Sequence, residues 1–185
     1  TLDAGSWFER ADPFGQVAAG AVTAEELASY GGEGVPTLRE AFELTLELDW
    51  RVNLELKAQP EPNDGSDLVG CVIDVVDDAG IGPDHLVFSS ARHEWLKALS
   101  ARRPGFEVQA ILGLFPEDPI DFSDPFFGTF NVRITRVSLD ELRDVLARGI
   151  RVNAYTPDEP DEIAEVTAIG VTGIITDFPQ RGVRP

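Results

Sequence analysis

From Pro36 onward the apolar positions switch repeatedly between two periods. In "PTLREAFELTLE", Leu38, Phe42 and Leu46 recur at helical spacing behind Pro36 and Thr37. "RVNLELK" then changes to period two. Val52, Leu54 and Leu56 share one face, and Asn53, Glu55 and Lys57 share the other, which reads as a strand. "SDLVGCVIDVVDDAG" returns to helical spacing, with Leu68, Val72 and Val75 or Val76 on one stripe and Gly80 at the stop. The strand "HLVFSS" follows, then the helix "RHEWLKALSARRPG", closed by Pro104 and Gly105, then the strand "EVQAILGLF". "PEDPIDFSDPFFGTF" is a loop rich in Pro and Phe, and "NVRIT" has the pattern of a short strand. In "SLDELRDVLARG", Ser138 is placed as N-cap, Glu141 completes a capping box and Gly149 ends the helix. The strand "IRVNAYT", the helix "DEPDEIAEVTAIG" and the strand "GIITD" complete the pass. The acidic runs "PDEPDEIAE" and "DVVDD" read as solvated helix faces.

Strict alternation of helix and strand predicts parallel strands joined by crossover helices, an α/β fold. No glycine-rich dinucleotide fingerprint or P-loop follows any strand. Polar residues collect at the C-terminal ends of the strands: Glu55 and Lys57, Ser89 and Ser90, Tyr155 and Thr156, and Asp177. That favours a TIM-like (β/α) barrel over a doubly wound sheet, because the barrel gathers its active site at those ends. The polar face of "RVNLELK" then points into the barrel mouth. Charges there are tolerable if paired, coordinated to metal or partly hydrated.

A chain of 185 residues, 43% of them hydrophobic, fits a single domain over 1–185. Residues 1–35 read as an irregular, insertion-like segment with one short helix around Thr23. The formal net charge of −18 repels nucleic acid and anionic membrane surfaces. No run of eighteen apolar residues is present, so no membrane span is expected, and no signal-peptide pattern opens this piece. The single Cys71 excludes an intrachain disulfide framework and, set in "LVGCVIDVV", is expected to be a small buried hydrophobe.

Taken together, "LDAGSWF", "GVPTLREAFEL", "VNLELK", "VFSS", "ARGIRVNAYTPDEPDEIAEV" and "GVTGIITDFPQR" resemble, in the same order, the glycerophosphodiester phosphodiesterase family over essentially the whole chain. The resemblance implies a TIM-like barrel that hydrolyses glycerophosphodiesters to glycerol 3-phosphate and an alcohol, usually with Ca²⁺ or Mg²⁺. It implies that Glu55 is a metal ligand, that Lys57 lies near the substrate phosphate, and that Tyr155, where the family usually has Trp, walls the site. Ala91 stands where the family usually has Phe after the two serines. The family's His-Arg-Gly, Glu-x-Asp and His-Asp strands, which carry its catalytic histidines and further metal ligands, have no match in this chain. "ELD" at Glu47–Asp49 has the Glu-x-Asp spacing but falls at the end of a helix, and neither His85 nor His93 occupies a catalytic position.

The resemblance thus implies an incomplete barrel with five of eight strands, lacking the first three. Two exposed strand edges would need a partner, either the missing N-terminal segment or a second copy. The implied ligand is a small phosphodiester. The same pattern also fits a catalytically inactive barrel remnant that binds without hydrolysing. Several residues keep two readings. Glu55 alone could be a structural ion pair with Lys57 or another strand-end charge. Asp177 reads more readily as a loop cap before Pro179 than as a chemical group. Trp7 and Phe8 fit either core or pocket. Phe122, Phe126, Phe127 and Phe130 fit a self-packed loop better than a flap.

Overall fold

The computed structural model describes residues 37–57 and 68–182. The helix expected around Thr23, together with Trp7 and Phe8, lies outside these residues. The described residues fall within two compact units, one drawn from Thr1–Arg51 and Lys57–His85 and the other from Val52–Leu56 and Leu86–Pro185.

In the first unit, helix α1 spans Leu38–Glu47 and α2 spans Leu68–Ala79. Thr37 starts α1 with a full capping box: its hydroxyl accepts from the Glu40 N–H, and the Glu40 carboxylate accepts from the Thr37 N–H at 2.7 Å. Phe42 is buried on α1, while Leu46, expected on the same stripe, is half exposed, and Thr45 is buried in its place. On α2 the buried residues are Val69, Gly70, Val72, Ile73 and Val76. Cys71 corrects the expectation of burial. At ~100° per residue it lies opposite the Val69–Val72–Val76 stripe, and it is exposed.

The second unit is one sheet of six parallel strands in the order β1 to β6, an open half-barrel. They are β1 Val52–Glu55, β2 Leu86–Ser90, β3 Glu107–Leu112, β4 Thr129–Arg133, β5 Arg151–Tyr155 and β6 Gly173–Ile175. This is one more than the five counted from sequence. The sixth is β4, which begins at Thr129, inside what reads as the end of the Phe-rich loop, and pairs with a strand on each side. "RVNLELK" forms a shorter strand than expected: β1 ends at Glu55, and one further bond runs from the Leu56 N–H to the Ser89 carbonyl at 2.8 Å.

Helices α3 (His93–Arg102), α4 (Leu139–Ala147) and α5 (Pro160–Ala168) connect β2 to β3, β4 to β5 and β5 to β6, while the Phe-rich loop joins β3 to β4 without a helix, a departure from the strict alternation expected. The capping box predicted at Ser138 and Glu141 is formed in full. The outer face of the sheet is apolar: Leu86, Phe88, Ala110, Leu112, Phe130, Val132, Val152 and Ala154 are each 4% exposed or less. Against it lie α3, over β2 and β3, and α4, over β5, which bury Leu96, Leu99, Leu142 and Val145. Burial of this kind is worth roughly 1.5–3 kcal/mol per side chain. The Phe-rich loop packs on itself and on β4, with Phe122 and Phe127 at 5.4 and 6.0 Å from the Phe130 ring.

Candidate functional site

The inner face of the half-barrel is polar, unlike the branched apolar filling usual in such barrels. Strand alternation delivers Glu107 and Gln109 from β3, Thr129, Asn131 and Arg133 from β4, and Arg151, Asn153 and Tyr155 from β5 to this face. Two hydrogen-bonded layers follow. At the N-terminal end of the strands, Glu107 Oε1 accepts from Gln109 Nε2 (3.1 Å), Thr129 Oγ1 (3.0 Å) and Arg151 Nη2 (3.1 Å). Above it, Asn153 Nδ2 donates to Gln109 Oε1 (3.2 Å) and Asn131 Oδ1 (2.8 Å). Gly173, the register partner of Asn153, leaves room for that side chain, since a Cβ there would stand 2.6 Å from Asn153 Oδ1. Ser89 Oγ and Asn131 Nδ2 are buried with no hydrogen-bond partner among the described residues.

The mouth is built at the C-terminal strand ends. Glu55 is the last residue of β1 and the register partner of the buried Ser89. Tyr155 is the last residue of β5, partly buried, and its hydroxyl donates to the Leu112 carbonyl at 2.8 Å. Arg133 ends β4, is the register partner of Tyr155, and holds its guanidinium over the Tyr155 ring at 5.7 Å. Burial raises the phenol above its usual range. Arg133 opposes this as donor and as charge, and the carboxylates of Glu55 and Asp118 push the same way as burial. Glu55 and Tyr155 thus each stand at the C-terminal end of a strand of one sheet, on strands that are not neighbours.

A cavity of about 330 Å³ opens at the C-terminal end of β3. Its lining includes Ala91, His93, Leu112, Asp118 and Asp124, and does not include Glu55 or Tyr155. His93 Nε2 lies 3.1 Å from the Ile111 carbonyl. The Lys97 ammonium, 2.8 Å from Asp124, and the Phe126 N–H hold the Asp124 carboxyl below the usual carboxylate range.

The other singled-out residues fall elsewhere. Lys57 follows the end of β1, is exposed, and belongs to the first unit. His85, in the same unit, sits with Nδ1 at 2.9 Å from the Trp50 carbonyl. Glu47 and Asp49 are exposed at the end of α1. The Asp177 N–H donates to Asp158 Oδ1 at 3.0 Å, a loop role as expected. Among the described residues, no three His, Cys, Asp or Glu side chains are grouped to hold a metal ion. The described residues alone therefore do not complete the oxygen cage that Ca²⁺ or Mg²⁺ takes.

Arg133, Asp118 and the Glu107–Thr129–Arg151 layer went unrecognised in the sequence. The signal was present in "TFNVR" and "RVNAY", which repeat the alternation of "RVNLELK": polar Thr129, Asn131 and Arg133 between Phe130 and Val132, and Arg151, Asn153 and Tyr155 between Val152 and Ala154.

Comparison with known proteins agrees with this fold. The model of the Glycerophosphoryl diester phosphodiesterase family matches residues 8–181. The uncharacterized protein YqiK of Bacillus subtilis is 27% identical over 158 residues, 83% of this chain, and the chain spans 63% of that relative's length. A crystal structure of a glycerophosphodiester phosphodiesterase from Parabacteroides distasonis shares the fold at a TM-score of 0.71 and 23% identity, over 86% of this chain and 68% of that one. An Oleispira antarctica phosphodiesterase, solved with its product sn-glycerol-3-phosphate, shares it at 0.72 and 19% identity, over 88% and 69%.

Proposed function

The chain belongs to the glycerophosphoryl diester phosphodiesterase family, and from that premise we propose that it carries the later part of a site that hydrolyses glycerophosphodiesters. The observation that supports this most is the placing of Glu55 and Tyr155 at the C-terminal ends of β1 and β5, the end of the fold where barrel enzymes work. Glycerol 3-phosphate as product follows the family and the ligand of the Oleispira protein.

In this reading Glu55 supplies one carboxylate to a Ca²⁺ or Mg²⁺ whose other ligands come from outside the described residues. A bound cation would neutralise phosphoryl charge. Tyr155 walls the mouth, its hydroxyl held at Leu112. His85 and His93 each hold one ring nitrogen at a carbonyl, of Trp50 and Ile111, and neither stands at a position that matches the family's histidines, so this reading does not draw the general acid and base from them. The 185-residue chain by itself is then inactive. Activity requires an upstream segment with the histidines and further carboxylates, lying along the edges of β1 and β6, each of which has a strand partner on one side among the described strands. A second copy is the other way to cover those edges.

Among the described residues no helix is long and apolar enough to cross a membrane. The alternative, a remnant that binds without hydrolysing, is separated by one experiment. Glycerol 3-phosphate release from glycerophosphocholine is measured across a divalent-cation titration, for the chain alone and for a longer protein that adds a His-Arg-Gly and Glu-x-Asp segment. Release by the longer protein alone supports the reading, and release by neither supports the remnant.

A further inference from the structure

We propose that Arg133 is a phosphate-binding residue of this mouth, gripping the phosphoryl oxygens of the substrate from β4. The proposal rests on the reading of the mouth as a phosphodiester site.

Position comes first. Arg133 is the last residue of β4, and it follows Thr129 and Asn131 on the inner face at strand spacing. Its register partner is Tyr155, so Arg133 stands at the C-terminal strand ends, as Glu55 does.

Charge comes next. Acidic groups outnumber basic ones in this chain 33 to 15, and arginines find carboxylates readily. Arg39, Arg92, Arg143, Arg151 and Arg181 each lie within 4.0 Å of one. Arg136 is spent on the carbonyls of Phe115 and Asp118, which ties down the loop. Arg133 makes no ion pair among the described residues; what holds it is the Tyr155 side chain. The guanidinium lies over the Tyr155 ring, 5.7 Å from its centre, and its five N–H donors are not all committed to that residue. The guanidinium fork matches two phosphoryl oxygens at once.

Physical chemistry then assigns the ligand. A partly buried cation without a counter-ion, set on an aromatic wall at the mouth of a barrel, is stabilised by an anion with several acceptor oxygens. Phosphoryl transfer places its developing charge on such oxygens, and arginine is the side chain suited to them. The tyrosine holds the fork in place before substrate arrives, which lowers the ordering cost of binding.

The test measures binding directly. The 185-residue protein is titrated calorimetrically with inorganic phosphate and with sn-glycerol 3-phosphate, as wild type, Arg133→Gln, Arg133→Lys and Arg143→Gln, with near-UV circular dichroism on each. Arg143 is exposed on α4 and pairs with Asp140, so it reports the effect of removing a charge alone. The expected result is binding by the wild type and Arg143→Gln, about 10–100-fold weaker binding by Arg133→Gln at unchanged spectrum, and an intermediate loss for Arg133→Lys, which keeps the charge and not the fork. Wild-type affinity in Arg133→Gln overturns the role of Arg133 and leaves the site reading standing. Absence of binding to wild type overturns the role of Arg133 in this chain, while the site reading is decided separately by hydrolysis in the longer protein. If Arg133→Gln loses the native spectrum, Arg133→Lys decides: weaker binding supports the role, and unchanged binding overturns it.

Discussion

Glu107→Ala removes the acceptor at the centre of the lower polar layer, and the structure sets the size of the effect. Three donors lose a partner. The Thr129 hydroxyl belongs to a residue only 2% exposed, so it is left buried and unpaired, at about 1–2 kcal/mol. Gln109, 8% exposed, loses a hydrogen bond worth about 1 kcal/mol. The Arg151 side chain is 53% exposed, and its ion pair adds at most about 0.5 kcal/mol. The total is roughly 2–4 kcal/mol, or about 4–16 °C in Tm for a chain of this length. Glu107→Gln keeps an acceptor oxygen in place and is expected to cost only about 1 kcal/mol. Urea unfolding followed by circular dichroism measures both, with the slope unchanged. A loss under ~0.5 kcal/mol in Glu107→Ala would refute the layer's contribution. Equal losses in the two variants would show that charge, rather than the set of hydrogen bonds, holds the layer together.

Gly173→Ala brings a Cβ to 2.6 Å from Asn153 Oδ1 and is expected to cost about 1–3 kcal/mol, while Gly82→Ala, with open space around its Cβ, stays within ~0.5 kcal/mol; thermal unfolding compares the two. Phe130→Ala opens a cavity under the Phe-rich loop and lowers stability by about 3–5 kcal/mol in denaturant titration. The capping-box carboxyls of Glu40 and Glu141 are held below their usual range, each by the backbone N–H and hydroxyl of its N-cap residue, Thr37 and Ser138. The stability they add is therefore present above the ordinary glutamate pKa of about 4.3 and is lost as pH falls through the lowered value. Glu141→Gln should flatten the acid limb of a Tm-against-pH curve, and a limb unchanged in shape would contradict the assignment.

The sequence carried the helix starts and stops, because caps are local: Thr37, Ser138 and Gly149 announce themselves within four residues. It carried the parallel order as well, since alternating periods leave few topologies. The edges of elements were less legible. "NVRIT" carried the later residues of β4, but its start was hidden, because Thr129 and Phe130 look like loop residues until β3 and β5 pair with them. Cys71 sits in an apolar run, but a run does not say which residue faces outward; only the partner surface does. For the candidate site, the family motifs pointed to Glu55, Lys57 and Tyr155, and the structure places Glu55 and Tyr155 at strand ends. Arg133 went unrecognised, because its meaning depends on Tyr155 in the neighbouring strand, 22 positions later in the chain.

The most direct test is hydrolysis of glycerophosphocholine under a Ca²⁺ or Mg²⁺ titration by three proteins: this chain, a longer protein that adds the histidine-bearing segment upstream, and the longer protein with Glu55→Gln. The account predicts background turnover for the first, cation-dependent release of glycerol 3-phosphate for the second, and a steep loss of both turnover and cation response for the third. Cation-dependent release by the 185-residue chain alone, or an unchanged titration in Glu55→Gln, would contradict it.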